Sequence, residues 1–406
     1  MTDLFWPGDD RAGALLSDAR WLSAMESVEA AWLASLVSVG IAPDGARHEV
    51  RGVVGPQDID SIAATAEAGG NPVIGLVALL RERLPEEPAR WLHRGLTSQD
   101  VVDTGLVVCL RQALDRLLAE HRHQIEQLIM LAADHADTAE VGRTLTQHAV
   151  PITFGLKVAS WLTGLVDAAE AVIMAGAGLA VQLGGAAGSL AASTELARLR
   201  GLRDPMAVSW QLVEATAAAL GLAARPPWHT VRSSLTRVGD ALVACTDAYG
   251  HLAADVATLS RPEIGELAEG SGGGSSTMPH KRNPALSVLI RRAALTGPGL
   301  AATLHLAAAT TVDERPDGAW HAEWATLRDL GRRTVVAASQ TTDLLTGLRV
   351  DTERMAANLQ AAAGVDAEQI SMIKLIDGVP GSHYRGASVS FVDAAVRRGR
   401  GFLEVT

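Results

Sequence analysis

Residues 270–284 hold the side chains best suited to chemistry. The run Gly270-Ser271-Gly272-Gly273-Gly274-Ser275-Ser276 has four glycines in seven residues, a backbone too permissive to remain helical. Thr277 and then Met278-Pro279-His280-Lys281-Arg282-Asn283-Pro284 follow at once. The two prolines stiffen this far end, and Pro284 is placed for the first turn of a following helix. A permissive run anchored by a rigid one is what a closing lid needs. Ser275, Ser276, Lys281, Arg282 and Asn283 offer hydroxyls, fixed cations and an amide. Such a set can bind a carboxylate and stabilise charge developing on it. Composition alone equally allows a Gly/Ser linker beside a basic patch.

A site of this kind needs rigid elements around it. Between Val101 and about Ala133, apolar residues such as Leu106, Leu110, Leu114, Leu117 and Ile125 recur at helical spacing. Unkinked, that segment is about 45–50 Å long. Similar patterns cover about Thr153–Leu179, Ser233–Leu259, Ala285–Thr311 and Trp320–Leu345, with Gly297-Pro298 as a kink site in the fourth. Five long helices predict an all-α, elongated bundle, and helices apolar around much of their girth predict an oligomer that covers them. Three domains are expected. Residues 1–98 are helical but broken by Pro43, Gly52, Gly55, Pro56 and Gly69-Gly70-Asn71-Pro72. Residues 99–346 form the central bundle and carry the loop. Residues 347–406 form a small appended helical domain with a break at Pro380-Gly381 and a short helix over about 387–398.

Composition sets outer limits. The chain has 406 residues, is 48% hydrophobic and only 4% aromatic, and carries a formal charge of -11. An Ala/Leu-rich chain favours helix, and the acidic balance argues against nucleic acid or an anionic membrane as partner. It leaves an anionic substrate open, because local Arg and Lys placement decides that. Cys109 and Cys245 lie in apolar helical stretches without metal-ligand or CxxC spacing and read as buried free thiols. The start Met1-Thr2-Asp3-Leu4 lacks a basic, then apolar, leader, and no stretch of about 18 uninterrupted apolar residues suggests a membrane span. A soluble cytoplasmic chain without metal or cofactor is expected.

Gly274 to Asn283 fits the GSSxMPxKxN signature of the fumarase/aspartase superfamily at every specified position. Two further motif regions of that superfamily are resembled in the correct order. The first is His93-Arg94-Gly95-Leu96-Thr97-Ser98-Gln99-Asp100-Val101-Val102-Asp103-Thr104. The second is Gly142-Arg143-Thr144-Leu145-Thr146-Gln147-His148-Ala149-Val150-Pro151. The resemblance covers residues 1 to about 350 well and the last 60 poorly. It implies a homotetramer with a twenty-helix core, five helices from each subunit, and active sites that each draw on three subunits. It implies proton transfer at a carbon next to a carboxylate, through an aci-carboxylate dianion. By position, Ser275 matches the general base, with Ser276 beside it as the alternative. Met278 lies within the same signature, and Lys281 and Asn283 match the ligands of the charged carboxylate. Thr97 and Ser98 match substrate ligands in the first motif, and Thr144 and Gln147 in the second.

Two branches of the superfamily are resembled. The first motif and the Met278–Asn283 string are similar to adenylosuccinate lyase. That enzyme carries a general-acid His where Leu145 stands here. Pro227-Trp228-His229-Thr230-Val231-Arg232, Gly184-Gly185-Ala186-Ala187-Gly188 and the segment from Glu314-Arg315 to Trp324 resemble bacterial 3-carboxy-cis,cis-muconate cycloisomerase. A carboxylate leaving group, with a pKa near 4, departs without an acid, so Leu145 suits a cycloisomerase. A lyase expelling another good anion, such as nitrite from nitrosuccinate, fits the same argument. A small polycarboxylate substrate needs several cations, for which Lys281, Arg282, Arg232, Arg315 and Arg94 are candidates. His93 beside the first motif and His148 are candidate catalytic groups. If the second motif is helical, His148 shares a face with Leu145.

Overall fold

A computed structural model describes residues 3–270, 272–381 and 383–405. Ser271, in the glycine-rich run, therefore lies outside the described residues. The helices are, in chain order, α1 (Asp18–Ser38), α2 (Ile59–Gly69), α3 (Val73–Arg83), α4 (Glu86–Trp91), α5 (Ser98–Asp134), α6 (Phe154–Ala177), α7 (Ala191–Leu199), α8 (Pro205–Leu220), α9 (Ser233–Leu259), α10 (Ala285–Ala309), α11 (Gly318–Thr346), α12 (Thr352–Ala361), α13 (Ala367–Ile376) and α14 (Ser388–Val405). Strands are few: β1 (Ala139–Thr144) pairs antiparallel with β2 (Gln147–Thr153), and β3 (Leu267–Ala268) with β4 (Arg349–Val350). The all-α expectation holds, and the five long helices start and stop within a few residues of their expected limits. α10 runs through Pro298 without interruption.

The helix ends follow local chemistry. Ser17 caps α1 by accepting from the Arg20 amide at 3.2 Å. Asp204 caps α8 ahead of Pro205, and Gly221 closes it with φ +65°. Asp351 caps α12 through the Arg354 amide at 2.8 Å.

Clustering of the backbone divides the chain into two compact units. One comprises Met1–Asp115, Ile173–Asp240 and Gly299–Arg333, the other Arg116–Val172, Ala241–Pro298 and Thr334–Thr406. All five long helices contribute residues to both. In the first unit the core gathers Trp32, Leu33 and Leu36 of α1 with Val102, Leu106 and Leu110 of α5, all essentially inaccessible. In the second, Leu162 and Leu165 of α6, Val256 of α9 and Ile290 of α10 are equally enclosed.

α6 is long and apolar enough to cross a membrane by length and composition, but more than half of its most apolar window is buried inside the protein, as in a core helix. Both cysteines are buried free thiols, and burial pushes the Cys109 thiol up to about 12.

Candidate functional site

In the first unit, the first motif forms the turn that enters α5. Trp32, fully enclosed, donates its indole N–H to the Arg94 carbonyl at 2.7 Å. Gly95, at φ +89°, packs its backbone close to the Trp32 ring and to Ser193, where a β-carbon would meet both. His93 also takes a left-handed conformation, φ +63°. Its Nδ1 lies 2.6 Å from Oε1 of Glu29 in α1. Burial opposes a charge on this imidazole, yet the Glu29 charge and hydrogen bond outweigh it and hold His93 above its ordinary value.

Thr97 caps α5, and Asp100 reaches back to accept the Thr97 amide at 3.0 Å, one half of a capping box. The Thr97 hydroxyl is not used in the cap. It accepts instead from Arg315 Nη2 at 2.5 Å, and the same Nη2 donates to the Ala186 carbonyl at 3.1 Å. Two residues carried over from different motifs, Thr97 and Arg315, are therefore in direct contact. Ser98 opens α5 beside them, half-buried.

Asp100, fully enclosed, organises the neighbouring glycine run. It accepts from Gly184 and Gly185 amides, each at 2.9 Å, from Gln182 at 3.1 Å, and lies 3.3 Å from His229 Nε2. Gly184 has no room for a β-carbon, because Pro227 and Gly188 would lie within 3 Å of it.

Arg232 is the clear correction to the expected cation set. Its guanidinium is enclosed and all five of its N–H groups are used. Nε donates to Glu323, Nη1 to Asp103 at 2.7 Å and the His229 carbonyl at 3.2 Å, and Nη2 to Asp103 at 3.0 Å and Glu323 at 2.5 Å. Trp320 Nε1 completes the network on Asp103 at 2.9 Å. A substrate carboxylate would find no free donor there. Trp228 lies over the Arg232 guanidinium at 5.0 Å and packs rather than lining an open site.

In the second unit, the signature loop is closed at its base. Gly273 and Asn283 exchange both backbone hydrogen bonds at 2.8 Å, and the Asn283 amide donates to the Gly274 carbonyl at 3.1 Å. Glu269 ties the near end of the loop to the far one: its carboxylate accepts from the Leu286 and Ser287 amides at 3.1 and 2.8 Å and from the Ser287 hydroxyl at 2.7 Å, at the start of α10. Gly270 is flush against Gly347, where a β-carbon would sit 2.6 Å from the Gly347 carbonyl. Inside the loop, Ser275 Oγ accepts from the Met278 amide at 3.1 Å and the Thr277 amide at 3.4 Å. Two backbone donors on one hydroxyl oxygen favour its anionic, basic form. Ser276, Met278, His280, Lys281 and Arg282 are exposed, and Lys281 and Arg282 form no ion pair among the described residues.

The second motif is a β-hairpin rather than a helix, which overturns the shared helical face of Leu145 and His148. Thr144 and Gln147 are paired on either side of a two-residue turn, and Arg143 pairs with His148. The turn residues Leu145 (φ +47°) and Thr146 (φ +70°) both lie in the left-handed region. Thr144, Gln147 and His148 are exposed, and Leu145 is 95% exposed.

The hairpin is fixed from below. Arg143 makes a bidentate pair with Glu266 at 2.9 and 2.7 Å, and Asn358 of α12 donates to Glu266 at 2.8 Å. Burial pushes the Glu140 carboxyl up to about 7, despite Lys157 at 3.8 Å and Arg143 at 3.4 Å. Among the described residues, no group of three His, Cys, Asp or Glu side chains is placed to hold a metal ion.

Glu29, Asp100, Asp103, Glu266 and Glu323 are the residues that sequence reading passed over. Each is an acidic residue in an apolar helical or extended context. Asp100, Asp103 and Glu323 also lie inside recognised motifs, the one signal that could have singled them out.

Residues 56–296 match the Lyase family. The chain is 41% identical to the nitrosuccinate lyase of Streptomyces davaonensis over 89% of this chain and 77% of that protein. It is 38% identical to the 3-carboxy-cis,cis-muconate cycloisomerase of Pseudomonas aeruginosa over 88% of this chain and 78% of that protein. Its fold matches the crystal structure of the 3-carboxy-cis,cis-muconate lactonizing enzyme from Pseudomonas putida with a TM-score of 0.83 and 31% identity, covering 96% of this chain and 97% of that one.

Proposed function

The chain belongs to the Lyase family of the fumarase/aspartase superfamily, and from that premise we propose that it converts 3-carboxy-cis,cis-muconate to a carboxymuconolactone in protocatechuate (β-ketoadipate) breakdown. One substrate carboxylate adds to a double bond, and a proton is delivered to the carbon next to another carboxylate. In the ring-opening direction the Ser275 oxygen, favoured as an anion by the Thr277 and Met278 amides, removes that proton. The electron pair passes into the neighbouring carboxylate, held as an aci-carboxylate, and then expels the ring carboxylate.

The observation that carries this reading is Leu145. The tip of the second-motif hairpin is an exposed aliphatic side chain where an amine-releasing relative needs an acid. A departing carboxylate needs none.

In this reading Lys281 and Asn283 hold the carboxylate that takes up charge, and Ser276 and Met278 complete the loop. Thr97, Ser98 and Arg315 hold a second carboxylate, and Thr144 and Gln147 approach from the hairpin tip. His93, held against Glu29, and His148 supply further donors. The sites are assembled between subunits of a homotetramer.

A second reading is elimination of nitrite from nitrosuccinate. The complete engagement of Arg232 by Asp103 and Glu323 favours it, because a tricarboxylate needs one more cation than a substrate with two carboxylates. The 41% identity to a nitrosuccinate lyase points the same way. The two are separated by offering the purified protein each substrate. Lactonisation is followed by loss of ultraviolet absorbance, and elimination by nitrite and fumarate release. No absorbance change with ample enzyme excludes the cycloisomerase. Nitrite release in its place establishes the lyase.

A further inference from the structure

The first unit contains a cavity of about 220 Å³ between the start of α1, α5 and α11. Its walls are Leu16, Trp21, Leu106, Cys109, Trp324 and Ala325, with Ser17, Asp18, His321 and Arg328 around them. Two of the chain's nine tryptophans, Trp21 and Trp324, line it. Trp21 and Trp324 lie 5.7 Å apart and tilted by 58°, and Trp324 stands edge-on to Trp320 at 4.8 Å.

Two further observations mark this wall as unfinished. The indole N–H groups of Trp21 and Trp324 are buried with no hydrogen-bond acceptor among the described residues. Leu16 holds the opposite wall in a left-handed conformation, φ +55°, wedged against Gly331, where a β-carbon would sit 2.4 Å from it. Strain of this kind in a bulky residue tends to cluster at ligand sites.

The charges decide what class of ligand fits. Arg328 is flanked by Asp18 at 3.8 Å and Asp329 at 3.3 Å. An anionic ligand meets those two carboxylates, and a cationic one meets the guanidinium. A neutral ring meets neither penalty. An apolar cavity of roughly 150 Å³ already accommodates benzene, so this one has room for a single substituted ring. We propose that this cavity is a binding site for a neutral monocyclic aromatic of the phenol class. The ring stacks within the Trp21–Trp324 wall. The hydroxyl donates to Asp18 at the rim, and its oxygen supplies an acceptor for a donor of the wall or Arg328. The site involves none of the residues assigned to proton transfer, and so it stands apart from the proposed reaction.

The test is calorimetric titration of the full-length protein with phenol, benzoate and phenyltrimethylammonium, accompanied by quenching of tryptophan fluorescence. Phenol is expected to bind with Kd on the order of 1 mM or tighter, and at least tenfold better than either charged analogue. Ala325→Phe, which fills the cavity from its exposed side, and Trp324→Leu should each weaken phenol at least tenfold with the circular-dichroism melt unchanged. Ser275→Ala and Lys281→Ala should leave phenol binding intact. Benzoate or the ammonium binding more tightly overturns the proposal. So does phenol binding that survives Ala325→Phe or disappears with Lys281→Ala.

Discussion

Arg232 and Asp103 are joined by two parallel hydrogen bonds, Nη1 to Oδ2 at 2.7 Å and Nη2 to Oδ1 at 3.0 Å, inside a wall that water does not reach. Burial works against the guanidinium charge, but Asp103 and Glu323 outweigh it and hold Arg232 above its ordinary value. The pair sits one helical turn into α5, just past Thr97 and Ser98, and fixes that end of the helix against α9 and α11.

Arg232→Met should therefore act on stability. Removing one partner of a buried, hydrogen-bonded pair leaves the other uncompensated, typically at a cost of about 3–5 kcal/mol. Thermal melts and activity normalised to folded protein separate the two roles. A variant with the native melting temperature and a raised KM would return Arg232 to the substrate-binding set.

The serine loop makes an opposite demand. Ser275 is half-buried in a loop and, among the described residues, its hydroxyl accepts only from the loop's own amides, so Ser275→Ala removes chemistry and little stability. Loss of a positioned general base lowers kcat by about 10²–10⁴-fold, with the melting temperature within a degree of the parent's. Ser276→Ala should stay within a few-fold. The reverse ranking in steady-state kinetics would transfer the base to Ser276.

The five long helices were legible in sequence because apolar residues at helical spacing, such as Leu106, Leu110, Leu114 and Leu117, record which side is buried. The Gly274–Asn283 loop was legible because its residue types are unusual together. The hairpin was not. Burial does not alternate along either strand, so no period of two marks them in sequence, and Leu145-Thr146 carries no Asn or Gly to announce a two-residue turn. The carboxylate networks were illegible for a different reason. Asp103 meets Glu323 through Arg232, and Arg143 meets Glu266, across more than a hundred residues of chain. Read singly, Arg232 is simply an arginine near a motif.

Glu140 gives a pH dependence with a definite sign. Its folded value, about 7, lies above the ordinary 4.5. The folded protein thus holds this proton more tightly than the unfolded chain does. The associated stability is complete below about pH 4.5 and is lost as pH rises through about 7. Glu140→Gln removes the titration. Between pH 5 and pH 8 the wild type should lose roughly 2–3 kcal/mol relative to this variant, read from urea midpoints at the two values. A gap that moves the other way would mean that Lys157 and Arg143 hold Glu140 ionised.

The hairpin tip holds two side chains in a conformation that neither prefers. A left-handed Thr is a backbone outlier, and each such residue costs on the order of 1–3 kcal/mol. The turn geometry instead favours Asn followed by Gly. The double substitution Leu145→Asn, Thr146→Gly should therefore stabilise the protein by about 1 kcal/mol, after the extra chain entropy of Gly is subtracted. If Thr144 and Gln147 close on substrate from this tip, the same change disturbs their placement, and kcat/KM should fall at least tenfold while the melting temperature rises. Unchanged kinetics in the stabilised double variant would remove the hairpin tip from the active site. A lowered melting temperature would show that Leu145 is covered in the assembled protein, where its aliphatic side chain outweighs the strain of the turn.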